Sequence, residues 1–551
     1  MADPQVPSSR AINACLTCRK QKRKCTKERP RCSTCRKTGR ACDYTPIGRS
    51  SGIATERDNC ERLESQETGE SAAVSRRAHL SGYESRATIG AGSPDTEGLF
   101  TLFLDSDIPP DRSYLESNRK IPLPPDYLRY LRSPAQVRHE VDVFFNSVHT
   151  FFPIVSKLRL YQQLSNADRR DDPDLGLLFI AMQLHTRSCS EVESGDLYRS
   201  AKACYVYIES SNVFSVKVLQ ALLLIALYEI SNAIYPAAYL TVGHCARLGH
   251  AMGIHQRSDS PQMFHRVGTF VELEERRRTW WAVIILDRYV NLGGRNRPLA
   301  CEDAQPEDFL PADDKSWDRG VNMNLTLIRA NTTIEVCPFT RTCQASHILA
   351  RVLGHLNDRN SDADFRYEEA MQLHRTAQAL SHTLSNELEQ RIERVYDPTA
   401  HLQLFSAIGI CYSASLLLYD RYCCSGILGV AGDVEVQQTA LSSINEVSRS
   451  VLQFAKSIRS AMDLGGALRM SPLVLDCLYQ AAANFMWQSR ETGNSDLVSM
   501  ANEIQSVLEV LGTRWKAPSK LDYWNVRLLS YANALALGAY LSILRKVGGH
   551  C

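Results

Sequence analysis

Six cysteines between positions 15 and 42 constrain this 551-residue chain more than any other feature. Their spacing is Cys-x2-Cys-x6-Cys-x6-Cys-x2-Cys-x6-Cys, and segment 15–25 is repeated as segment 32–42 with seven identities in eleven positions. In each half, two thiols lie on one tight turn and can bind the same metal ion. The third cysteine follows seven residues later, about two helical turns on, so a short helix can bring its thiol to that ion as well. The expected ligands are Cys15, Cys18, Cys25, Cys32, Cys35 and Cys42.

The remaining cysteines indicate a reducing compartment. The other twelve of the 18 are scattered through apolar stretches, and the first residues, MADPQVPSSR, show no apolar segment of a signal peptide. We therefore expect an intracellular protein, in which a dense cysteine cluster indicates metal rather than disulfides.

Six thiolates are too few for two separate four-sulfur sites, which would need eight. Two sulfurs that bridge both ions solve this, and the pseudo-symmetry of the repeat selects the first cysteine of each half, Cys15 and Cys32. The expected cofactor is two Zn²⁺ per chain. Because a unit of about 30 residues has little core, metal binding should supply most of its folding free energy.

The charge of the chain is divided unevenly. Residues 1–50 carry a balance of +10 and the rest of the chain −8, although the total is only +2. Residues 15–42 alone hold eleven Lys/Arg and one Glu, which leaves about +8 after six thiolates and two Zn²⁺ are counted. A compact segment of that charge favours binding to a polyanionic partner.

Segment 14–44, ACLTCRKQKRKCTKERPRCSTCRKTGRACDY, resembles over its whole length the DNA-binding domain of the fungal Zn2Cys6 binuclear cluster transcription factors. The resemblance implies binding to double-stranded DNA at CGG-type triplets in the major groove, a nuclear location and contact with the transcription machinery. It places Lys22, which the second half replaces with Gly39, at the base edges. The expected DNA-binding residues are Arg19, Lys20, Lys22, Arg23, Lys24, Arg36 and Lys37.

The predicted fold is a small Zn2Cys6 domain at 10–48 (the head), with two short helices around two zincs, then a disordered linker at 49–120 and a large all-α domain (the body). Few large apolar residues occur before position 93, and Ile53, Cys60 and Leu63 make barely one heptad. A monomer, or a homodimer formed through the body, is therefore expected rather than a linker coiled coil. Segment 95–108 alternates acidic and apolar residues, which suits an activation motif or docking onto the body equally.

The body shows apolar spacing of three and four from about position 122, and strand alternation is almost absent. We divide it into a first helical domain at 121–345 and a helical continuation at 346–551. The uncharged runs 404–419 and 528–544 fall short of a membrane span and are predicted to be buried helices. The predicted helical segments are 135–148, 215–230, 236–252, 270–291, 345–356, 368–392, 399–421, 436–462, 472–490 and 495–513.

Segment 272–314, which begins ELEERRRTWWAVIILDRYVNLGG, resembles the signature of the fungal-specific transcription factor domain, also called the middle homology region. The resemblance implies that 121–345 is such a domain. We expect Glu274 and Arg278 to pair on the solvent side of a helix that ends at the glycine pair 293–294. Gly253 is the predicted C-terminal cap of the preceding helix. The long, carboxyl-rich loop after position 294 most resembles the same region in pathway-specific regulators of fungal secondary-metabolite gene clusters.

No catalytic motif stands out, so we predict a regulator and not an enzyme. The His-Glu pair at 139–140 lacks the second histidine of a zinc protease, and the glycines at 90 and 92 follow no strand. No membrane partner is expected, and no residue indicates which small molecule the body would take as an effector. The alternative that stays open is a zinc-dependent nuclear scaffold or repressor whose head binds a protein.

Overall fold

A computed structural model describes part of the head and most of the body. The linker 49–120, the activation or docking segment 95–108 and the run 528–544 lie outside the described residues. The chain divides into two units, Met1–Ile89 and Gly90–Cys551, which are described in turn. The described residues are 14, 15, 18, 24–28, 31–39, 42, 121–131, 133–166, 172–187, 191–255, 268–293, 297–321, 325–358, 360–394, 400–423 and 433–518.

The described core of the head is made of cysteines. One short helix, α1 (Ser33–Lys37), follows Cys32, whose thiol accepts a hydrogen bond from the Cys35 amide. The chain then turns at Gly39 with φ of +67°, a left-handed conformation that glycine adopts without strain. Of the first predicted helix, only Cys18 is described. The four buried cysteines are Cys15, Cys18, Cys32 and Cys35. Two half-buried cysteines, Cys25 and Cys42, pack against them.

The described ranges of the body are mostly helical, and the all-α prediction is confirmed. The nearest approach to a sheet in these ranges is one antiparallel bridge between Phe309 and Leu327. Short 3₁₀ helices lie at Val148–Thr150, Ala400–Leu404, Gly466–Arg469 and Pro472–Val474. The α-helices are α2 (Pro125–Leu128), α3 (Pro134–Phe145), α4 (Lys157–Ser165), α5 (Pro173–Thr186), α6 (Glu191–Ser210), α7 (Val216–Ser231), α8 (Ala237–Ala251), α9 (Phe270–Val290), α10 (Asp314–Arg319), α11 (Pro338–Asn357), α12 (Ala363–Arg394), α13 (Phe405–Cys423), α14 (Asp433–Asp463), α15 (Leu475–Thr492) and α16 (Ser495–Gly512).

Local sequence sets several helix ends. Ser215 before α7 and Thr269 before α9 each accept a hydrogen bond from the amide three residues on, as N-cap side chains do. Gly253 follows α8 with φ of +67°, so its predicted capping role is confirmed. Helix α9 ends at Val290, three residues before the glycine pair 293–294 that was expected to end it.

Two buried helices organise the body. Helix α7 contacts α5, α8 and α9, and helix α13 contacts α11, α12, α14 and α15. One apolar cluster extends from Leu123 to Ala517, and α11 spans the predicted division at 345/346. Within the described residues, Ala400–Cys423 is long and apolar enough to cross a membrane, but most of it is buried, as in a core helix. The burial predicted for 404–419 is therefore confirmed.

Helix α9 carries charges inside the protein, which corrects the sequence prediction. Glu274 and Arg278 were expected on the solvent side but are 1% and 0% exposed. The Arg278 guanidinium donates to Glu274 at 2.9 Å, to Asp314 at 2.6 Å and to the Ala312 carbonyl at 2.7 Å. It also lies 4.2 Å from the ring centre of Trp317. The loop after α9 covers this face, and its oxygens replace the water that the charged pair would otherwise need.

A second set of buried charges holds the same loop to the end of α9. The Asp287 carboxylate accepts hydrogen bonds from the amides of Ala300 and Cys301, at 3.0 and 3.2 Å. Arg288 donates to the Asp303 carboxylate at 3.1 Å and to the Cys301 carbonyl at 3.1 Å. The charged residues of the 272–314 segment therefore pack its loop onto its helix.

Candidate metal centre

The buried cysteines of the head contact one another through their sulfur atoms. Across the two halves, the Sγ–Sγ distances are 3.7 Å for Cys15–Cys32, 3.6 Å for Cys15–Cys35, 3.7 Å for Cys18–Cys32 and 3.8 Å for Cys18–Cys35. Within the first half, Cys25 Sγ lies 3.8 Å from Cys15 Sγ. The repeat therefore brings its halves together in one sulfur cluster.

Each half holds its third cysteine in the same way. The Cys15 amide donates to Cys25 Sγ at 3.5 Å, and the Cys32 amide donates to Cys42 Sγ at 3.2 Å. The two contacts join equivalent positions of the repeat. The pseudo-symmetry expected from the sequence is therefore present in the backbone of the head.

The sulfur positions fit zinc. With Zn–S bonds of about 2.3 Å, the sulfurs of a tetrahedral site lie about 3.8 Å apart. The distances that involve Cys15 or Cys32, the expected bridging residues, are 3.6–3.8 Å and match that edge. A disulfide would need about 2.05 Å, and the described cysteines are all free thiols. In the described part of the chain, four side chains are placed to share a metal ion: the Sγ atoms of Cys15, Cys18, Cys32 and Cys35 all lie within 4.8 Å of one another.

The thiols differ in how readily they ionise. Burial raises the pKa of the Cys18 thiol to about 12 and also raises the pKa of Cys15. Burial opposes ionisation of Cys32 too, but the Cys35 amide and the neighbouring thiols donate to it and lower its pKa to about 6. The surroundings of Cys32 therefore already favour the thiolate, the form that binds a metal ion.

Three of the predicted DNA-binding residues are described, and all three are exposed. They are Lys24, which precedes Cys25, and Arg36 and Lys37, which occupy the last turn of α1. Arg36 Nη2 donates to the backbone carbonyl of Arg31 at 3.4 Å. The other four predicted contacts, Arg19, Lys20, Lys22 and Arg23, lie outside the described residues.

Sequence reasoning missed the hydroxyl side chains that join the two halves. Thr26 Oγ1 accepts hydrogen bonds from both the amide and the hydroxyl of Ser33, each at 2.9 Å. Thr34 Oγ1 donates to the Lys24 carbonyl at 3.0 Å. No spacing pattern in the sequence identified these hydroxyls, because Thr26 lies seven residues before the helix amide that it caps and outside the cysteine repeat.

Two family models match the chain. The model described as the fungal Zn(2)-Cys(6) binuclear cluster domain covers residues 13–51, and the fungal specific transcription factor domain covers residues 141–404. The first model overlaps the head. The second covers most of the predicted domain 121–345 and continues to residue 404, past the predicted division at 345/346.

Relatives with similar sequences are fungal regulators. "Transcription factor BOA15" of Botryotinia fuckeliana is 36% identical over 179 residues, which cover 32% of this chain and 98% of the relative. "Citrinin biosynthesis transcriptional activator mrl3" of Monascus ruber is 23% identical over 80% of this chain and 92% of its own length. "Pigment biosynthesis transcriptional activator pigB" of Monascus ruber is 25% identical over 32% of this chain. Several relatives are matched over only about a third of their own length.

Proposed function

The chain belongs to the fungal transcription factors with a Zn(2)-Cys(6) binuclear cluster, and from this premise we propose that it reads CGG-type triplets in double-stranded DNA. It is a regulator and not an enzyme, and its head binds two zinc ions. The observation that carries the proposal is a cysteine cluster that joins both halves of the repeat, with exposed cations on its described surface.

We propose that all six head cysteines hold the zinc ions and that Cys15 and Cys32 bridge them. A bridging sulfur must contact ligands of both halves. Cys15 Sγ does so, because it lies within 3.8 Å of Cys25 in its own half and of Cys32 and Cys35 in the other. When bound, the two ions cross-link the halves and supply the cohesion that a core of this size lacks.

The cations of the head then divide into two roles. Arg36, Lys37, Arg19 and Lys20 neutralise phosphates and release counterions, which orients the head on the duplex. Lys22 donates to the O6 and N7 acceptors of guanine in the major groove. The second half has Gly39 at the equivalent position, so base reading is assigned to the first half.

The body is proposed to regulate this binding in the nucleus, in contact with the transcription machinery. Two relatives are named as activators of citrinin and pigment biosynthesis. On that basis we infer that this chain controls a gene cluster for a fungal secondary metabolite. The match to mrl3, which extends over 80% of this chain, supports this assignment.

Lys22→Ala and Arg36→Ala test the two roles in the full-length protein. Lys22→Ala should weaken binding to a CGG duplex by about 1–3 kcal/mol and leave binding to random duplexes almost unchanged. Arg36→Ala should weaken both equally and lower the salt slope by about one. The measurement is a salt titration of fluorescence anisotropy with both duplexes.

Two results would contradict the proposal. If Lys22→Ala weakens both duplexes by the same factor, Lys22 is a phosphate contact and does not read bases. If the wild-type protein binds CGG and random duplexes equally weakly at all salt concentrations, the head does not read CGG triplets, and the result favours the protein-binding scaffold.

A further inference from the structure

The two halves of the head are joined by hydroxyl groups as well as by sulfur. Thr26 Oγ1 accepts from the Ser33 amide and hydroxyl, and Thr34 Oγ1 donates to the Lys24 carbonyl. We name these four residues the hydroxyl clasp. We propose that Thr26 and Thr34 are positioning residues for DNA binding, which set the orientation of α1 and of its phosphate-binding cations. This inference rests on the proposed DNA binding of the head.

The start of α1 has two different anchors. Cys32 Sγ accepts from the Cys35 amide, so one anchor is a proposed zinc ligand. Thr26 Oγ1 accepts from the Ser33 amide, so the other depends on no metal. Because the first amides of a helix have no partner within it, the Thr26 hydroxyl fixes an end of α1 that its cysteine alone would leave free to tilt.

Thr34 supplies the second attachment. Its hydroxyl bonds the carbonyl of Lys24, the last residue of the basic run in the first half. The chain between the halves then reverses at Lys27, which has φ of 62° in the left-handed region. The clasp therefore spans the loop and joins backbone from the proposed base-reading half to the helix of the other half.

The cations that depend on this orientation lie at the far end of α1. Arg36 and Lys37 form its last turn, so a tilt about its first residue displaces them most. Phosphate contacts need donor–acceptor distances near 3 Å and weaken steeply when misaligned. Loss of the clasp should therefore reduce phosphate binding while the zinc ligands stay in place.

The test compares Thr26→Val, Thr26→Ser and Thr34→Val in the full-length protein. Thr38→Val is the matched control, because among the described residues the Thr38 hydroxyl bonds the Thr34 and Cys35 carbonyls of α1 itself and not the first half. We expect Thr26→Val to retain two zincs, to bind a CGG duplex about fivefold to tenfold more weakly and to lower the salt slope by about one to two. Thr34→Val should act in the same direction, and Thr26→Ser and Thr38→Val should behave as wild type.

A second readout needs no DNA. Amide exchange of Ser33, measured with both zincs bound, should accelerate about fivefold to tenfold in Thr26→Val and stay unchanged in Thr26→Ser. If the wild-type protein fails to bind CGG duplexes, the proposed function fails, and the exchange result still decides whether the clasp exists. Thr26→Val that loses zinc, or that keeps wild-type affinity, salt slope and exchange, overturns the positioning role.

Discussion

Loss of a single cysteine should destabilise the head more than loss of a single apolar side chain destabilises the body. The described core of the head consists of cysteines, whereas the body shares its burial among an extended apolar cluster. Cys15 Sγ lies close to Cys25 in its own half and to Cys32 and Cys35 in the other, while Cys42 is half-buried and its sulfur accepts from the Cys32 amide. Substitution of these two residues should therefore have unequal effects.

Cys15→Ala should reduce the zinc content of the protein from two per chain to nearly none, because both ions lose a ligand. Cys42→Ala removes a ligand from one site only and should retain about one zinc. Elemental analysis of the purified variants measures this difference. A wild-type content of one zinc, or equal losses in the two variants, would contradict the bridged arrangement.

Arg278 provides the corresponding test in the body. Arg278→Met removes the cation that joins the buried Glu274 carboxylate to Asp314 and leaves Glu274 paired with Arg277. It should lower the free energy of unfolding by about 3 kcal/mol, the lower end expected for a broken buried ion pair. The control is Lys456→Met, whose ammonium pairs with Glu503 at 3.4 Å while both side chains are nearly half exposed. That change should cost at most about 1 kcal/mol. Denaturant unfolding of both variants decides, and equal losses would show that the buried pair adds nothing.

At the scale of whole elements, helices α8 and α9 approach each other through a glycine. A Cβ atom added at Gly249 would lie 2.7 Å from Cζ3 of Trp280 on α9. The Trp280 ring is held in turn by His250 and His255, whose ring centres lie 5.0 and 5.8 Å from it. Gly243 lies on the same helix, and a Cβ atom there would meet nothing within 4 Å.

These two glycines should respond to alanine in opposite directions. Gly249→Ala forces α8 and Trp280 apart and should destabilise the body by about 1–3 kcal/mol. Gly243→Ala improves helix propensity without a clash and should stabilise it by up to about 1 kcal/mol. Thermal unfolding of the two variants gives the comparison. A stabilising Gly249→Ala would show that the helices have room to move apart.

Sequence periodicity predicted most helices of the body but not what covers them. The run 270–291 has the spacing of a helix, and α9 occupies almost the same residues. From the same spacing, Glu274 and Arg278 were wrongly predicted to lie in solvent. An i,i+4 ion pair has the same sequence pattern whether the helix face is exposed or covered by a loop. The cysteine cluster was predictable because its repeat fixes ligand spacing locally. The hydroxyl clasp was not, since threonines beside cysteines carry no comparable pattern.

At the scale of the molecule, the two units differ in charge and in what stabilises them. Residues 1–50 carry +10 and depend on metal for cohesion, and the remainder carries −8 around an apolar core. Zinc removal should therefore act on the head alone. With a strong chelator, binding to the CGG duplex should be lost, while the thermal unfolding midpoint of the body should not change. A chelator-dependent shift of that midpoint would show that the body's stability depends on zinc.

The positions of the tryptophans turn the packing around α9 into an optical probe. All six lie at position 280 or later, so the tryptophan emission of the protein originates in the body. Trp317 is 1% exposed beneath the Arg278 cation, and its indole donates to the Val271 carbonyl at 3.1 Å. Its contribution to the emission should therefore change when the packing of the region after α9 against that helix changes. An emission change on adding duplex DNA would reveal a signal passing from head to body without any attached dye.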